Sequence, residues 1–238
     1  VSEARHGRRM PRTVWALGLV SLFMDLSSEI IHALLPVFLT ATLGASVAMV
    51  GLIDGIGEST ASITKMFSGY ILDRIGRRKP LILLGYGLGA LSKPFFAIAA
   101  GPIPVLGARF ADRIGKGLRG APRDALVADI APPALRGAAF GLRQSLDTVG
   151  AFLGPLLAMG LMLVWANDFH AVFWVAVIPA LLCVALLVLG VHEPERPHDA
   201  PRTNPIQREN LRRLSRAYWW VVGLGAVFTL ARFSEAFL

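Results

Sequence analysis

Cysteine is almost missing from this 238-residue chain: Cys183 stands alone inside a long apolar run, so no disulfide can close within the chain and the redox compartment is unmarked. No glycine-rich phosphate loop of the nucleotide-hydrolase type occurs, so ATP-driven work is not encoded in these residues and no cofactor is implied. No nucleophile has a base placed beside it in the sequence; His32 would suit a membrane hydrolase, but no Ser stands near an oxyanion site, so an enzyme is not indicated. Charge is sparse at 17%, against about 25% in ordinary soluble domains. Three stretches, 40–46, 100–102 and 165–170, hold no Lys or Arg at all.

Apolar residues make up 54% of the chain and fall into long runs. A hydrocarbon core about 30 Å thick is crossed by about 20 helical residues. Runs of that size occupy 14–39, 47–72, 81–99, 102–119, 138–164, 171–191 and 218–238. The expected fold class is therefore an all-α membrane protein with the lipid bilayer as its partner. The first run is too long for a signal-peptide core and no small-residue cleavage site follows it, so it reads as the first membrane helix. The net charge of +8 is gathered in the N-terminal tail (Arg5, Arg8, Arg9, Arg12) and at 74–79, 116–136 and 196–216, which are alternate connections. That alternation is the positive-inside pattern, and it places the N-terminus and the 192–217 loop in the cytoplasm of a multi-pass inner-membrane protein. No basic face joins with stacking aromatics, so nucleic acid is not the expected partner.

The spacing divides the chain into 1–191, a six-helix transmembrane bundle; 192–217, a Pro- and charge-rich cytoplasmic linker; and 218–238, a seventh helix that starts a second bundle. The seventh run meets the last residue without a polar exit, which suggests a chain cut short. Ser28-Glu29 in the first run and Ser234-Glu235 in the seventh lie at similar depth, as in a parallel-repeat transporter.

Two long runs are joined by the tight basic turn Gly69-x-x-x-Asp73-Arg74-x-Gly76-Arg77-Arg78-Lys79. Arg109 is followed by Gly115-x-Gly117, and Gly150-x-x-x-Gly154-Pro155 lies in the fifth run. On these residues the chain resembles the N-terminal half of a major facilitator superfamily (MFS) transporter. The first motif matches that superfamily's loop between its second and third helices at every informative position. The second is looser, with Asp112 and Arg113 inserted; the third resembles the exporter motif of the fifth helix but ends in Ala158 and Met159 instead of a glycine pair. The resemblance implies a twelve-helix secondary transporter of small molecules, with alternating access and no enzymatic step.

Physical reasoning gives each motif a role. Gly69 removes a side chain where helices must approach, and Asp73 can accept charge-assisted hydrogen bonds. With Arg74, Gly76, Arg77 and Arg78 they are the expected conformational latch, whereas the basic residues alone would only fix topology. Arg143, Asp147, Gly150 and Gly154 share a helical stripe, with Arg143 and Asp147 able to pair and the glycines able to admit a helix of the other half. Pro155 would bend the span.

Asp25, Ser28, Glu29 and His32 share one face of the first run. A charge at a bilayer centre costs about 2.5–3.5 kcal/mol on insertion scales, so it persists where it meets a cavity, a partner or a proton path. Asp25, Glu29, His32, Arg109 and Glu235 are therefore the cavity and proton-coupling candidates, with protons as coupling ion and a small organic molecule as the exported substrate. Asp25, Glu29 and His32 also suit a divalent cation, but no second His or Cys cluster completes a metal site. Asp54, Glu58 and Lys65 share a stripe with Gly69, while Lys93 and Arg232 are isolated within their own helices, and most of these charges are expected to pair. Lys65, Lys93, Arg109, Arg113, Arg143 and Arg232 set against Asp25, Glu29, Asp54, Glu58, Asp112, Asp147 and Glu235 leave the spans close to neutral. Arg109 is best placed to hold an anionic substrate or a carboxylate. Residues 119–129 read as a short, separate amphipathic helix. An inactive half-bundle and a metal or other solute carrier of the same fold are the alternatives to proton-coupled efflux.

Overall fold

The computed structural model describes residues 10–193 and 215–233, and every regular element among them is helical. Six long helices follow one another: α1 (Arg12–Val37), α2 (Val47–Ile75), α3 (Lys79–Ala97), α4 (Pro102–Ile130), α5 (Arg136–Val164) and α6 (Phe169–Gly190). They lie within one unit, Val1–Ala200; α7 (Arg216–Phe233) lies within a second, Pro201–Leu238, and is a helix of its own. Connections of three to five residues, and of nine between α1 and α2, leave each helix antiparallel to the next.

Local chemistry sets the boundaries. Ser46 accepts the Met49 N–H at 3.2 Å and starts α2; Gly76 ends it at φ 72°, where its N–H reaches Leu72 O at 2.8 Å. Within the basic turn, Gly76 thus has a backbone duty of its own. Asp168 caps α6 through the Ala171 N–H at 3.1 Å. Pro36 interrupts the α1 ladder just before a single π turn, Phe38–Thr42, closed by Leu43 N–H on Phe38 O at 3.1 Å. The Phe38 ring is buried against Phe169, His170 and Phe173 of α6.

In the six-helix unit α1 packs on α5 and α6, α4 packs on α2 and α3, and α3 also meets α6. Backbones approach directly where side chains are absent: a Cβ on Gly115 would stand 2.6 Å from Gly85 O, and one on Gly117 would stand 2.6 Å from Ala61 O. Two apolar cores result. One gathers Leu17, Met24, Ile82, Tyr86, Leu126 and Cys183; the other gathers Ile30, Phe38, Ile53, Phe96, Val105 and Phe173. Between them, at matching depth on α1, α3 and α4, lie Ser28, Lys93 and Asp112, all buried.

The outside of the bundle is apolar as well. Phe152, Leu163, Trp174, Ile178, Leu181 and Leu189 are exposed on α5 and α6, a surface that lipid accepts and water does not. The segments Arg12–Thr42, Lys79–Ala97, Pro133–Val164 and Phe169–Gly190 are long and apolar enough to cross a membrane. Helices α2 and α4 have the length but not the hydropathy, because each carries a charged stripe that pairs with the other. The bundle is an all-α membrane fold.

Two expectations are corrected here. Residues 119–129 are not a separate helix: α4 runs unbroken through Pro122 to Ile130, since Arg119 and Pro122 are buried against the bundle. Gly150 and Gly154 do not face a helix of another half. A Cβ on Gly150 would collide with Leu22 O, and one on Gly154 with the Glu29 side chain, so both glycines seat α5 on α1.

Candidate functional site

The polar layer is built on α4, whose Arg109, Asp112, Arg113 and Lys116 fall on successive turns and meet α1, α2 and α3 on different sides. At its centre Lys93 Nζ on α3 donates to Asp112 Oδ1 at 2.8 Å and to Ser28 Oγ on α1 at 2.9 Å. Lys93, isolated within its own helix, finds its partners on two other helices. The second Asp112 oxygen stands 3.5 Å from His32 Nε2, while His32 Nδ1 stands 3.6 Å from Glu29 Oε1 and 3.4 Å from Arg113 Nη2. The imidazole thus links a fully enclosed carboxylate to one whose side chain is 35% exposed.

A second set ties α2 to α4. Arg109 Nη2 meets Asp54 Oδ1 at 2.7 Å and Arg113 Nη1 meets Glu58 Oε1 at 2.8 Å. Gly57 lies between these rungs, and a Cβ there would press on both arginine side chains at 3.3–3.4 Å. Among the expected cavity residues, Glu29, His32 and Arg109 come into this layer.

Asp25 belongs one turn further along α1, where Lys116, Arg119 and Asp147 are the charged groups that act on it. There Arg123 Nη1 donates to Ser21 Oγ at 3.0 Å and Tyr86 OH at 3.2 Å, and lies 3.7 Å from Asp147. Arg119 stacks over the Tyr86 ring at 4.7 Å. Arg143 lies 3.8 Å from Asp147 and 3.7 Å from Asp124. Asp25 is not drawn to Glu29 and His32, and among the described residues no three His, Cys, Asp or Glu side chains group as metal ligands.

The latch candidates divide. Asp73, Arg74 and Arg77 are exposed, and space for a Cβ on Gly69 is open within the unit. Arg78 instead turns inward to an ion pair with Asp129 at the end of α4. The Arg78 and Lys79 N–H groups donate to the two Glu193 oxygens at 2.6 and 3.1 Å, and Lys79 Nζ reaches Val188 O at 3.1 Å. The basic turn, the end of α4 and the end of α6 therefore share one end of the bundle. The sequence signal for Arg78 was present in the basic run, but Glu193 carried none, since it lay at the start of a polar linker. Lys93, Asp112 and Ser28 could have been found by requiring partners for every charge at one depth. Glu235 and Ser234, Arg5, Arg8, Arg9 and 194–214 lie outside the described residues, as does the side chain of Arg232.

Comparison with known proteins agrees with the fold. The family profile described as Major Facilitator Superfamily matches residues 17–237. An uncharacterized MFS-type transporter of Methanocaldococcus jannaschii is 30% identical over 231 residues, covering 97% of this chain and 56% of the relative. Multidrug resistance protein MdtH of Edwardsiella ictaluri is 30% identical over 154 residues, covering 65% and 37%. A POT family transporter crystallised with a thioalcohol-conjugated peptide superposes with TM-score 0.71 at 20% identity, covering 96% of this chain and 48% of that one. The chain spans about half the length of the relatives it matches.

Proposed function

Because this chain belongs to the major facilitator superfamily, we propose that it forms the first bundle of a secondary active transporter that exports small organic molecules by alternating access, driven by protons. The observation that carries the reading is the line Lys93–Asp112–His32–Glu29, which joins a sealed ion pair to a partly exposed carboxylate across three helices. A structural salt bridge needs neither an imidazole nor an exposed acid beside it, whereas both are suited to proton exchange. Export is supported by the Gly150-x-x-x-Gly154-Pro155 motif and by the name of the MdtH relatives. Gly69 and Asp73, open on the basic end, are the latch that a second bundle would engage, with that end on the cytoplasmic side of the inner membrane.

The test is transport by the intact protein in proteoliposomes under an imposed pH gradient, with a panel of drugs, sugars and metal ions. Efflux of an organic member of the panel follows the gradient in the wild type, and Glu29→Gln or Asp25→Asn uncouples it. Unchanged, gradient-dependent transport in both variants would refute the proton role.

A further inference from the structure

Arg109 and Arg113 are one turn apart on α4, and their side chains are only 8% and 4% exposed. Each touches its α2 carboxylate through one terminal nitrogen, while Nε of both and Nη1 of Arg109 are buried with no hydrogen-bond partner among the described residues. Buried guanidinium N–H groups left without acceptors are costly, and a planar fork is shaped for a bidentate oxyanion. The carboxylates themselves are different: the Asp54 and Glu58 side chains are 44% and 47% exposed, so they are far less confined than the arginines. Asp112 is already engaged by Lys93 at 2.8 Å on one oxygen, with His32 3.5 Å from the other. Gly57 lets the α2 backbone close on both arginine stems. One turn further along α4, Lys116 is exposed, and Arg123 continues the same stripe.

We propose that the Arg109–Arg113 pair binds an anionic solute through a carboxylate or phosphoryl group, which displaces Asp54 and Glu58 from the arginines. Asp54 and Glu58 are resident stand-ins that hold the empty site in shape. This inference rests on the transport reading and names its substrate class. It gives the two sides of each ion pair opposite effects, which a purely structural clasp does not.

The experiment uses the intact protein in detergent, with carboxyfluorescein as anionic probe followed by fluorescence anisotropy, citrate and phosphate as competitors, and ethidium as cationic probe. The wild type binds carboxyfluorescein in preference to ethidium. Arg109→Gln and Arg113→Gln weaken binding by about tenfold or more, from the loss of a charged hydrogen bond. Arg113→Lys recovers only part of it. Asp54→Asn and Glu58→Gln tighten binding severalfold, because the internal competitor is gone. Competition by citrate or by phosphate identifies the preferred head group. Preference for ethidium, absence of anion binding by folded wild type, or weaker binding in the Asp54→Asn and Glu58→Gln variants overturns the proposal. If the probe binds with this pattern but is not carried across proteoliposome membranes, the anion site stands and the transport reading falls.

Discussion

Lys93 and Asp112 meet at 2.8 Å with side chains that are 0% and 2% exposed. Neither charge has water to fall back on, so each depends on the other and on the Ser28 hydroxyl and His32 ring that complete their shells. Removing one partner of such a pair strands the other, which costs about 3–5 kcal/mol, whereas replacing both with apolar groups of similar size is often near neutral.

Lys93→Met and Asp112→Leu are therefore expected to lower the unfolding midpoint of the detergent-purified protein sharply. The double variant Lys93→Met/Asp112→Leu recovers most of that loss. Thermal unfolding of all three, read as a double-mutant cycle, checks the coupling. Independent, additive effects would mean that the pair does not hold the polar layer together.

Glycine positions make a second contrast. A methyl group on Gly115 would meet the Gly85 carbonyl and the Gly89 backbone, neither of which can yield without separating α3 from α4. Gly115→Ala is expected to cost at least about 1–3 kcal/mol. At Gly69 the same change meets open space, and alanine is the better helix former. Gly69→Ala should leave thermal stability unchanged or slightly raised while transport by the intact protein falls. Full transport in Gly69→Ala would remove the latch role from the basic turn.

Glu193 offers a third. Its two oxygens take the Arg78 and Lys79 N–H groups at the start of α3, so it caps a helix whose own N-cap residue, Arg78, makes no side-chain cap bond. Glu193→Ala should cost about 0.5–2 kcal/mol, the range of lost N-caps, and Glu193→Gln about half of that, since an amide retains one acceptor oxygen. Hydrogen exchange at the first turn of α3 would report the loss locally. Unaltered exchange there in Glu193→Ala would show that the contact adds nothing to the helix end.

The helices were legible because lipid imposes a length and a composition that sequence displays directly: the expected runs differ from the observed α1, α2, α3, α5 and α6 by a few residues at their ends. The exception is instructive. The run at 102–119 stopped where arginines and a proline began, yet α4 continues to Ile130 because Arg119 finds the Tyr86 ring and Arg123 finds Ser21, Tyr86 and Asp147. Hydropathy prices a charge as if it were alone, and tertiary partners cancel that price. The same blindness hid the partners of Lys93, which lie on other helices. Residues on one helical face, such as Glu29 and His32, could be grouped from spacing; partnerships across helices, such as Lys93 with Asp112 or Arg78 with Glu193, depend on crossing geometry that spacing does not carry.

Gly154 joins the packing motif of α5 to the polar layer. A Cβ there would press on the Glu29 Cβ, with Glu29 C and Ile30 N at 3.2 Å behind it. Glu29 is the carboxylate that stands 3.6 Å from His32, so this seam sets how far α1 can carry that acid toward its partner. Gly154→Ala is expected to push α1 away from α5, at about 1–3 kcal/mol for overpacking, and to change the gradient dependence of transport more than does Gly160→Ala, whose Cβ would meet nothing within 4 Å. Proteoliposome assays of the two variants at matched protein level separate the cases. Equal pH dependence in Gly154→Ala and wild type would reduce the motif to a packing groove without influence on coupling.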